Sequence, residues 1–169
     1  EFPYRFDGLI PGLYYLRTGS NFVSADPAFL NGYYVDEVFD DIPCVAADCD
    51  VRRGVPVRVT AGSTTGGIDF RLVQGGTIEG SLPSNSVYTA DIYDARGVRI
   101  PSRVYRAALP STAFTAAGLA DGVYYAALND GISFPGEVYG NPGCGGCPVT
   151  SGKPIVVRAG QATENGDGN

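Results

Sequence analysis

The feature that most constrains the fold of this chain is a motif that occurs twice. Its first copy spans residues 43–72 and contains a cysteine pair, a predicted strand at residues 55–60, a turn, and a predicted strand at residues 68–72. Its second copy spans residues 144–163 and keeps the cysteine pair, the first strand and the turn. Because recurrence of this kind marks a repeated structural unit, the chain is predicted to be a tandem repeat of one β unit.

A second matched segment precedes each cysteine pair. The matched residues are Gly8 with Gly118, Leu9 with Leu119, Gly12 with Gly122, and Tyr14-Tyr15 with Tyr124-Tyr125. In each copy the two glycines flank a predicted turn, and the tyrosines follow it at the start of a predicted strand. A glycine at the same turn position in both copies predicts a backbone with positive φ, or one that another group approaches closely.

Composition fits an all-β chain divided into two units. Among the 169 residues are 24 Gly and 12 Pro, and short runs of Val, Ile, Thr, Tyr and Phe lie between them. This pattern is typical of many short strands joined by turns. We therefore predict two tandem sandwich units, residues 1–74 (the first half) and residues 75–169 (the second half), joined by a short linker at residues 73–76.

Neither half matches the other over its whole length. The second half has an opening part, residues 77–109, that the first half lacks, and the first half has a closing strand, residues 68–72, that the second half is predicted to lack. Unpaired strand edges rarely stay open in native proteins. We therefore expect either a fragment of a longer array, mature or excised and without a signal peptide, or a chain whose sheets are completed by neighbouring molecules.

Three stretches resemble a known family. They are the repeated motif with its sequence G-x-P-V-x-V-x-A-G, the opening strand G-G-T-I-E-G-S-L at residues 75–82, and the hairpin at residues 90–99. Together they resemble secreted bacterial β-sandwich repeats of the carboxypeptidase-regulatory-like, or prealbumin-like, type, and Cna B-type surface repeats look similar in architecture. The resemblance implies an Ig-like sandwich that acts as a spacer, stalk, adhesive or accessory module, although such motifs specify fold better than function.

The four cysteines form two short-range pairs. Cys44 and Cys49 have four residues between them, Cys144 and Cys147 have two, and both pairs occupy the same place in the repeat. A local disulfide in each half explains the even number and the matched position, and it predicts an oxidising compartment. The alternatives are a four-cysteine metal site, which needs the two pairs to converge, and a redox pair at Cys144 and Cys147, which normally precedes a helix.

Catalytic chemistry is not indicated. The chain has no His, which removes the usual general base and most zinc sites. The carboxylates of Asp36, Glu37, Asp40 and Asp41 are close in sequence, but they lack the spacing of a calcium loop and are expected to be surface residues. We predict no enzyme, no cofactor and no metal site.

Charge and hydropathy restrict the partners. The net charge is −6 and no stripe of Lys or Arg is present, so nucleic-acid binding is not expected. No apolar run approaches the ~20 residues of a membrane helix, so membrane insertion is not expected either.

Paired tyrosines are the candidate ligand or interface residues. They are Tyr14, Tyr15, Tyr33, Tyr34, Tyr124 and Tyr125. Because successive side chains of a strand point to opposite faces, each pair is expected to place one ring in the core and one at the surface. Exposed rings would stack on sugars or fill a protein interface.

The function expected from these observations is structural. We expect a non-catalytic, secreted or cell-surface module of a surface protein, adhesin or fibre, with protein partners that include copies of itself added strand by strand into a filament. The alternative is a carbohydrate-binding or accessory module of a secreted hydrolase, which would use the exposed tyrosines to bind glycans.

Overall fold

A computed structural model of the chain describes residues 3–19, 34–44, 49–83, 89–100, 103–106, 112–129, 137–144 and 146–164. Within these residues the chain forms eleven short strands and two single 3-10 turns, at Val51–Arg53 and Val149–Ser151. The strands are β1 (Gly12–Tyr14), β2 (Glu37–Val38), β3 (Ile42–Pro43), β4 (Val57–Val59), β5 (Gly76–Ser81), β6 (Thr89–Tyr93), β7 (Arg103–Arg106), β8 (Ala113–Leu119), β9 (Gly122–Asn129), β10 (Ile155–Val157) and β11 (Ala162–Glu164). The predicted all-β class is confirmed.

The second half contains a two-sheet sandwich. One sheet has the strand order β11-β5-β8-β7 and the other has the order β10-β9-β6. Each sheet turns one face inward, and the inward side chains form a single apolar core that includes Ile78, Ile92, Phe114, Tyr124 and Ile155. Burial of this face is the main stabilising term of a sandwich.

Alternation along the strands decides which residues enter this core. In β5, Ile78 is buried while Glu79 is exposed. In β9, Tyr124 and Ala126 enter the core. The intervening Tyr125 packs on the outer side of the same strand, against a smaller cluster formed by Tyr93, Ala127, Val138 and Val149. Strand β9 is therefore covered on both faces.

The prediction that the second half lacks a closing strand is wrong. Strand β11 pairs in parallel with β5, so that Ala162 lies beside Thr77 and Glu164 beside Glu79. The polar sequence after residue 160 hid this strand, because an edge strand needs a partner ladder more than it needs apolar side chains. The opening strand β5 provides that ladder.

The first half has much less regular pairing. Strand β1 pairs antiparallel with β4, and β2 pairs with β3. The strand predicted at residues 68–72 is wrong: this segment forms no ladder. It is held by side chains, since Arg71 N–H donates to the Glu37 carboxylate at 2.9 Å and the Phe70 ring packs on Phe39 with centroids 6.0 Å apart.

Close backbone packing fixes the join between the halves. Gln74 forms a bridge pair with Tyr34, and Gly76 already belongs to β5. A Cβ on Gly75 would lie 2.5 Å from the carbonyl carbon of Gly118. The end of the linker, at Gly75 and Gly76, is therefore packed against the second half, whereas Val73 and Gln74 are exposed.

Candidate functional site

The turn-and-tyrosine segment makes the same hydrogen bond in both halves. The Tyr14 hydroxyl donates to the Ile10 carbonyl at 2.8 Å, and the Tyr124 hydroxyl donates to the Ala120 carbonyl, also at 2.8 Å. A tyrosine that bonds back to the backbone a few residues upstream is a feature of Ig-like sandwiches. This hydrogen bond, which was not predicted from the sequence, is thus present twice among the described residues.

Strand register matches as well. In the first half Gly12 lies opposite Val59 and Tyr14 opposite Val57. In the second half Gly122 lies opposite Val157 and Tyr124 opposite Ile155. The matched glycines have matching backbone conformations. The first of each pair has positive φ, 71° at Gly8 and 73° at Gly118, as predicted. Gly12 and Gly122 do not adopt positive φ.

The segment after each cysteine pair is a third match. A 3-10 turn follows the cysteines in each half, and it ends where the N–H of Gly54 or Gly152 donates to the Val51 or Val149 carbonyl, at 3.1 Å in both cases. A Cβ on Gly54 would collide with the Val38 side chain and the Phe39 carbonyl, and a Cβ on Gly152 would collide with Val138 and the Tyr139 carbonyl. Both glycines are there because the neighbouring backbone is too close for a side chain.

The halves differ in what covers the matched segments. Phe114, Ala116 and Leu119 of the second half match Tyr4, Phe6 and Leu9 of the first half, respectively. The three residues of the second half lie in the sandwich core, but every residue from 3 to 13 is exposed. Ala116 is 0% exposed, whereas Phe6 is 65% exposed. In the second half β5 and β7 flank β8, while no strand pairs with residues 3–9 among those that the structure describes.

Residues 3–13 therefore form an exposed apolar segment, which is the candidate functional site and is called the open segment below. Phe6, Ile10 and Leu13 are the most exposed of its large apolar side chains, with Ile10 at 76%. Tyr4 stacks edge-on against Phe6, with centroids 5.7 Å apart, and also contacts Phe70. Contiguous exposed apolar surface of this kind marks an interaction site more often than single exposed residues do.

Sequence reasoning missed the open segment because Phe6 was expected to end a short strand, whereas residues 3–9 form no strand. A signal was present, since the matched residues of the second half are followed by the same turn but preceded by additional strands. Those strands supply the cover, and the first half shows the same turn without them.

The tyrosine pairs do not all place one ring in the core and one at the surface. Tyr124 is buried in the sandwich core, and Tyr125 packs against the outer cluster. Tyr14 is half-buried, whereas Tyr15 and Tyr34 are exposed. Tyr33 lies outside the described residues.

Both predicted disulfides are present. Cys44 bonds to Cys49 with Cα atoms 5.2 Å apart, and Cys144 bonds to Cys147 with Cα atoms 5.6 Å apart. Each closes a loop at the same place in its half. Cys147 is followed by a single 3-10 turn and not by an α-helix.

Buried carboxylates in this molecule are engaged in structural hydrogen bonds. Asp94 accepts from the backbone N–H groups of Arg96 and Val98 and from the Arg96 guanidinium. Although desolvation opposes ionisation, these bonds together lower the pKa of Asp94. Asp91 likewise accepts from Arg99 at 2.7 Å and from Asn129 at 2.9 Å. Both carboxylates hold the turn that follows β6 in place through these hydrogen bonds.

Glu37 has the opposite behaviour. Desolvation raises the pKa of its carboxyl, the bond from Arg71 N–H partly lowers it, and the charges of Asp41 and Asp40 raise it further. Of the acidic residues that were singled out in sequence, Glu37 alone is buried. Its role in the structure is to tie residue 71 to β2.

A cleft of about 510 Å³ lies between the two halves. Its walls include the Cys44–Cys49 disulfide and Arg53 from the first half, and Asp94, Arg96 and Tyr124 from the second half. Among the described residues no group of three or more His, Cys, Asp or Glu side chains is arranged to hold a metal ion.

Comparison with known proteins gave no match to a family model, to a curated protein or to a solved structure. No helix in the described part of the chain has the length and apolar character needed to cross a membrane.

Proposed function

We propose that this chain is a non-catalytic, extracellular structural module of a cell-surface protein, adhesin or fibre. It consists of two copies of a prealbumin-like sandwich unit, and it assembles through the open segment of the first half. The observation that carries the proposal is the contrast in burial between matched residues, because Phe6 is exposed where Ala116 is fully buried.

Matched contacts support the duplication. The same tyrosine hydrogen bond, the same strand register and the same crowded glycine occur in both halves. Two local disulfides support an oxidising, extracellular location, since such bonds are rare in reducing compartments.

Assembly through the open segment is supported by its chemistry. The open segment leads directly into β1, and an exposed strand edge with apolar side chains beside it is a template for an added strand. Addition of a strand would bury Tyr4, Phe6 and Leu9 as their counterparts are buried. The free energy gained from each large apolar side chain would be about 1.5–3 kcal/mol.

Sedimentation velocity tests this proposal over a wide range of protein concentrations. The wild-type chain is expected to form oligomers, and Phe6→Ser and Ile10→Ser are expected to shift the distribution to monomer. Val156→Ser is the matched control, because Val156 is 57% exposed but lies on β10 in the second half. A monomeric wild-type chain at all concentrations, or equal effects of Phe6→Ser and Val156→Ser, would contradict it.

Glycan binding is a second candidate, supported by the exposed rings of Tyr15 and Tyr34. Aromatic rings at a surface stack on the apolar faces of sugars. Glycan-array binding that is lost in Tyr34→Ala and Tyr15→Ala, with an unchanged melting temperature, would favour it over assembly. Changing Tyr124 would not test it, because that ring is buried.

A further inference from the structure

The cleft between the two halves has the size and position of a site for a small ligand. Its volume is about 510 Å³. Ligand sites typically have roughly 300–1,000 Å³ and are common where two structural units meet. One wall runs from β2 to the 3-10 turn at Val51–Arg53, and the other consists of the turn after β6 and the start of β9. A ligand in the cleft would therefore contact both halves.

The apolar part of the cleft is aliphatic. Val38, Ile42 and Pro43 line one wall, and Val123 lines the other. Val123 is 38% exposed, so apolar carbon remains open to a ligand. The one aromatic ring among the described lining residues is that of Tyr124, which belongs to the sandwich core. This lining suits the carbon–hydrogen face of a saturated ring, because burial of apolar surface is favourable without aromatic stacking.

Two charged side chains lie next to each other on the first wall. Asp50 precedes the 3-10 turn and Arg53 ends it. Residues three apart in a 3-10 helix lie on the same side, and both of these line the cleft, whereas Arg52 does not. Neither side chain forms an ion pair with a described residue, and the Asp50 carboxylate accepts one hydrogen bond, from Arg52 N–H at 3.0 Å. The cleft thus presents an acceptor and a donor group to a ligand.

The fold of the turn does not require this charged pair. In the second half Pro148 and Ser151 occupy the matched positions. The same 3-10 turn forms there without a side-chain cap, and it ends in the same backbone hydrogen bond. Since the turn forms without charged side chains, its geometry does not explain Asp50 and Arg53. A few polar groups on an otherwise apolar lining are what orients a ligand in a pocket.

The charges on the described walls of the cleft balance. On the second wall Asp94 and Arg96 are ion-paired at 2.8 Å, and two backbone N–H groups also donate to Asp94. On the first wall Asp50 and Arg53 have opposite charges, so a charged ligand would meet one attraction and one repulsion. A neutral ligand with adjacent hydroxyls uses both groups, because each hydroxyl can donate and accept. Hydrogen bonds to charged groups are roughly twice as strong as those between neutral ones.

We propose that the cleft binds a neutral sugar. One hydroxyl donates to the Asp50 carboxylate, and the adjacent hydroxyl accepts from the Arg53 guanidinium. The carbon–hydrogen face of the ring packs on Pro43 and Val123. The inference does not depend on assembly through the open segment. It deepens the glycan-binding candidate, on which it rests, by placing the site in the cleft instead of at the exposed tyrosine rings.

Titration of the isotope-labelled chain with maltose, cellobiose and lactose, followed by NMR, tests the inference. At least one of these disaccharides is expected to shift the amide signals of residues 49–54 and 122–124 saturably, with the same dissociation constant for both sets. Glucuronate should bind no more tightly than glucose, because the charges of the cleft balance. Absence of saturable shifts with all three disaccharides, or a clear preference for glucuronate, would overturn the inference.

Charge variants test the two hydrogen-bonding groups. Asp50→Asn and Arg53→Ser should each weaken binding of the disaccharide about tenfold, the effect of losing one hydrogen bond to a charged group. Asparagine remains a good N-cap, and serine is the residue that the second half has at the position of Arg53. Arg52→Ser is the matched control, since Arg52 is exposed on the same turn but does not line the cleft. Equal effects of Arg52→Ser and Arg53→Ser would show that the cleft is not the site.

Filling the cleft gives an uncharged test. Val123→Trp should abolish binding of the disaccharide, because the larger side chain occupies the space of the ring. Val156→Trp is its control, since Val156 lies opposite Val123 in the ladder and is 57% exposed, but does not line the cleft. Unchanged binding in Val123→Trp would contradict the proposed position of the sugar.

The outcome for this inference is separate from the outcome for assembly. Phe6→Ser, which is expected to prevent oligomers, should leave binding of the disaccharide unchanged. Shifts confined to the signals of Tyr15 and Tyr34 would support glycan binding at the exposed rings and rule out the cleft as its site. If none of the sugars binds, this inference and the glycan-binding candidate are both wrong, whereas assembly is decided by sedimentation velocity alone.

Discussion

Single residues show how one side chain behaves in two environments. Tyr14 and Tyr124 make the same hydrogen bond, but Tyr14 is half-buried and Tyr124 is 2% exposed. Desolvation, with smaller contributions from the charges of Asp121 and Asp94, raises the pKa of Tyr124 to about 12 against the opposing effect of its bond to Ala120. Its phenol therefore remains a donor throughout the physiological range.

Removing this hydroxyl tests the contribution of the bond. Tyr124→Phe should lower the free energy of unfolding by about 1 kcal/mol, because the Ala120 carbonyl loses its donor in a partly buried position. Tyr14→Phe should have a smaller effect, since water can replace the hydroxyl there. Urea denaturation of the two variants measures the difference, and a larger loss for Tyr14→Phe would contradict the assigned burial.

Glu37 predicts a pH dependence of the free energy of unfolding. Its pKa is raised above the usual 4.5, mainly by desolvation, so its contribution to stability is full below that value and is lost as pH rises through the folded-state pKa. Glu37→Gln keeps an acceptor for Arg71 N–H but cannot ionise. Its free energy of unfolding should rise relative to wild type as pH increases above about 4.5, the range in which the wild-type carboxyl loses its contribution.

Glu137→Gln is the control for this experiment, because Glu137 precedes Val138 as Glu37 precedes Val38, but is exposed. It should change the free energy of unfolding little. Parallel profiles for wild type and Glu37→Gln would show that the carboxyl is not desolvated in solution.

At the ends of the two 3-10 turns, the backbone packs so closely against a neighbouring segment that only glycine fits. Gly54→Ala and Gly152→Ala should each lower the free energy of unfolding by about 1–3 kcal/mol, because the new methyl group meets a carbonyl oxygen and a valine side chain. Gly66→Ala is the control, since a Cβ there meets no atom within 4 Å. Thermal unfolding compares the three variants, and similar melting temperatures would contradict the crowding at the two repeated positions.

Strands with a clear alternation of apolar and polar residues could be predicted from the sequence. Strands that form only because another strand lies beside them could not. The alternation of Ile78 with Glu79 and the turn at Gly97, where φ is 77°, were both readable from the sequence. Residues 68–72 have the composition of a strand but no ladder beside them, whereas β11 has little strand character but lies along β5. Whether a segment pairs depends on which strand lies beside it in the fold, and the local sequence pattern does not contain that information.

The molecule as a whole combines one covered sandwich with one uncovered segment. The paired tyrosines were predicted as the interface, but the two most exposed large apolar side chains among the described residues are those of Ile10 and Phe6 in the open segment. Only the three-dimensional pairing of β5 and β7 with β8 shows which matched residues are covered.

Both disulfides close short loops and should stabilise their halves independently. Replacing Cys44 and Cys49 by serine, or Cys144 and Cys147 by serine, should each cost about 2 kcal/mol by the loop-entropy relation for loops of this length. The two losses should add in the fourfold variant, because the pairs are local and separate. Chemical denaturation measures them, and a strongly non-additive result would mean that the two loops are coupled.

The proposed assembly requires that the open segment becomes covered when molecules meet. Hydrogen–deuterium exchange with mass spectrometry, measured at rising protein concentration, follows the backbone amides of residues 3–13 and 113–123 in one experiment. We expect slow exchange in 113–123 at every concentration, and exchange in 3–13 that is fast in dilute protein and slows as oligomers form. Fast exchange in 3–13 at all concentrations, or slow exchange there in the isolated monomer, would contradict the account.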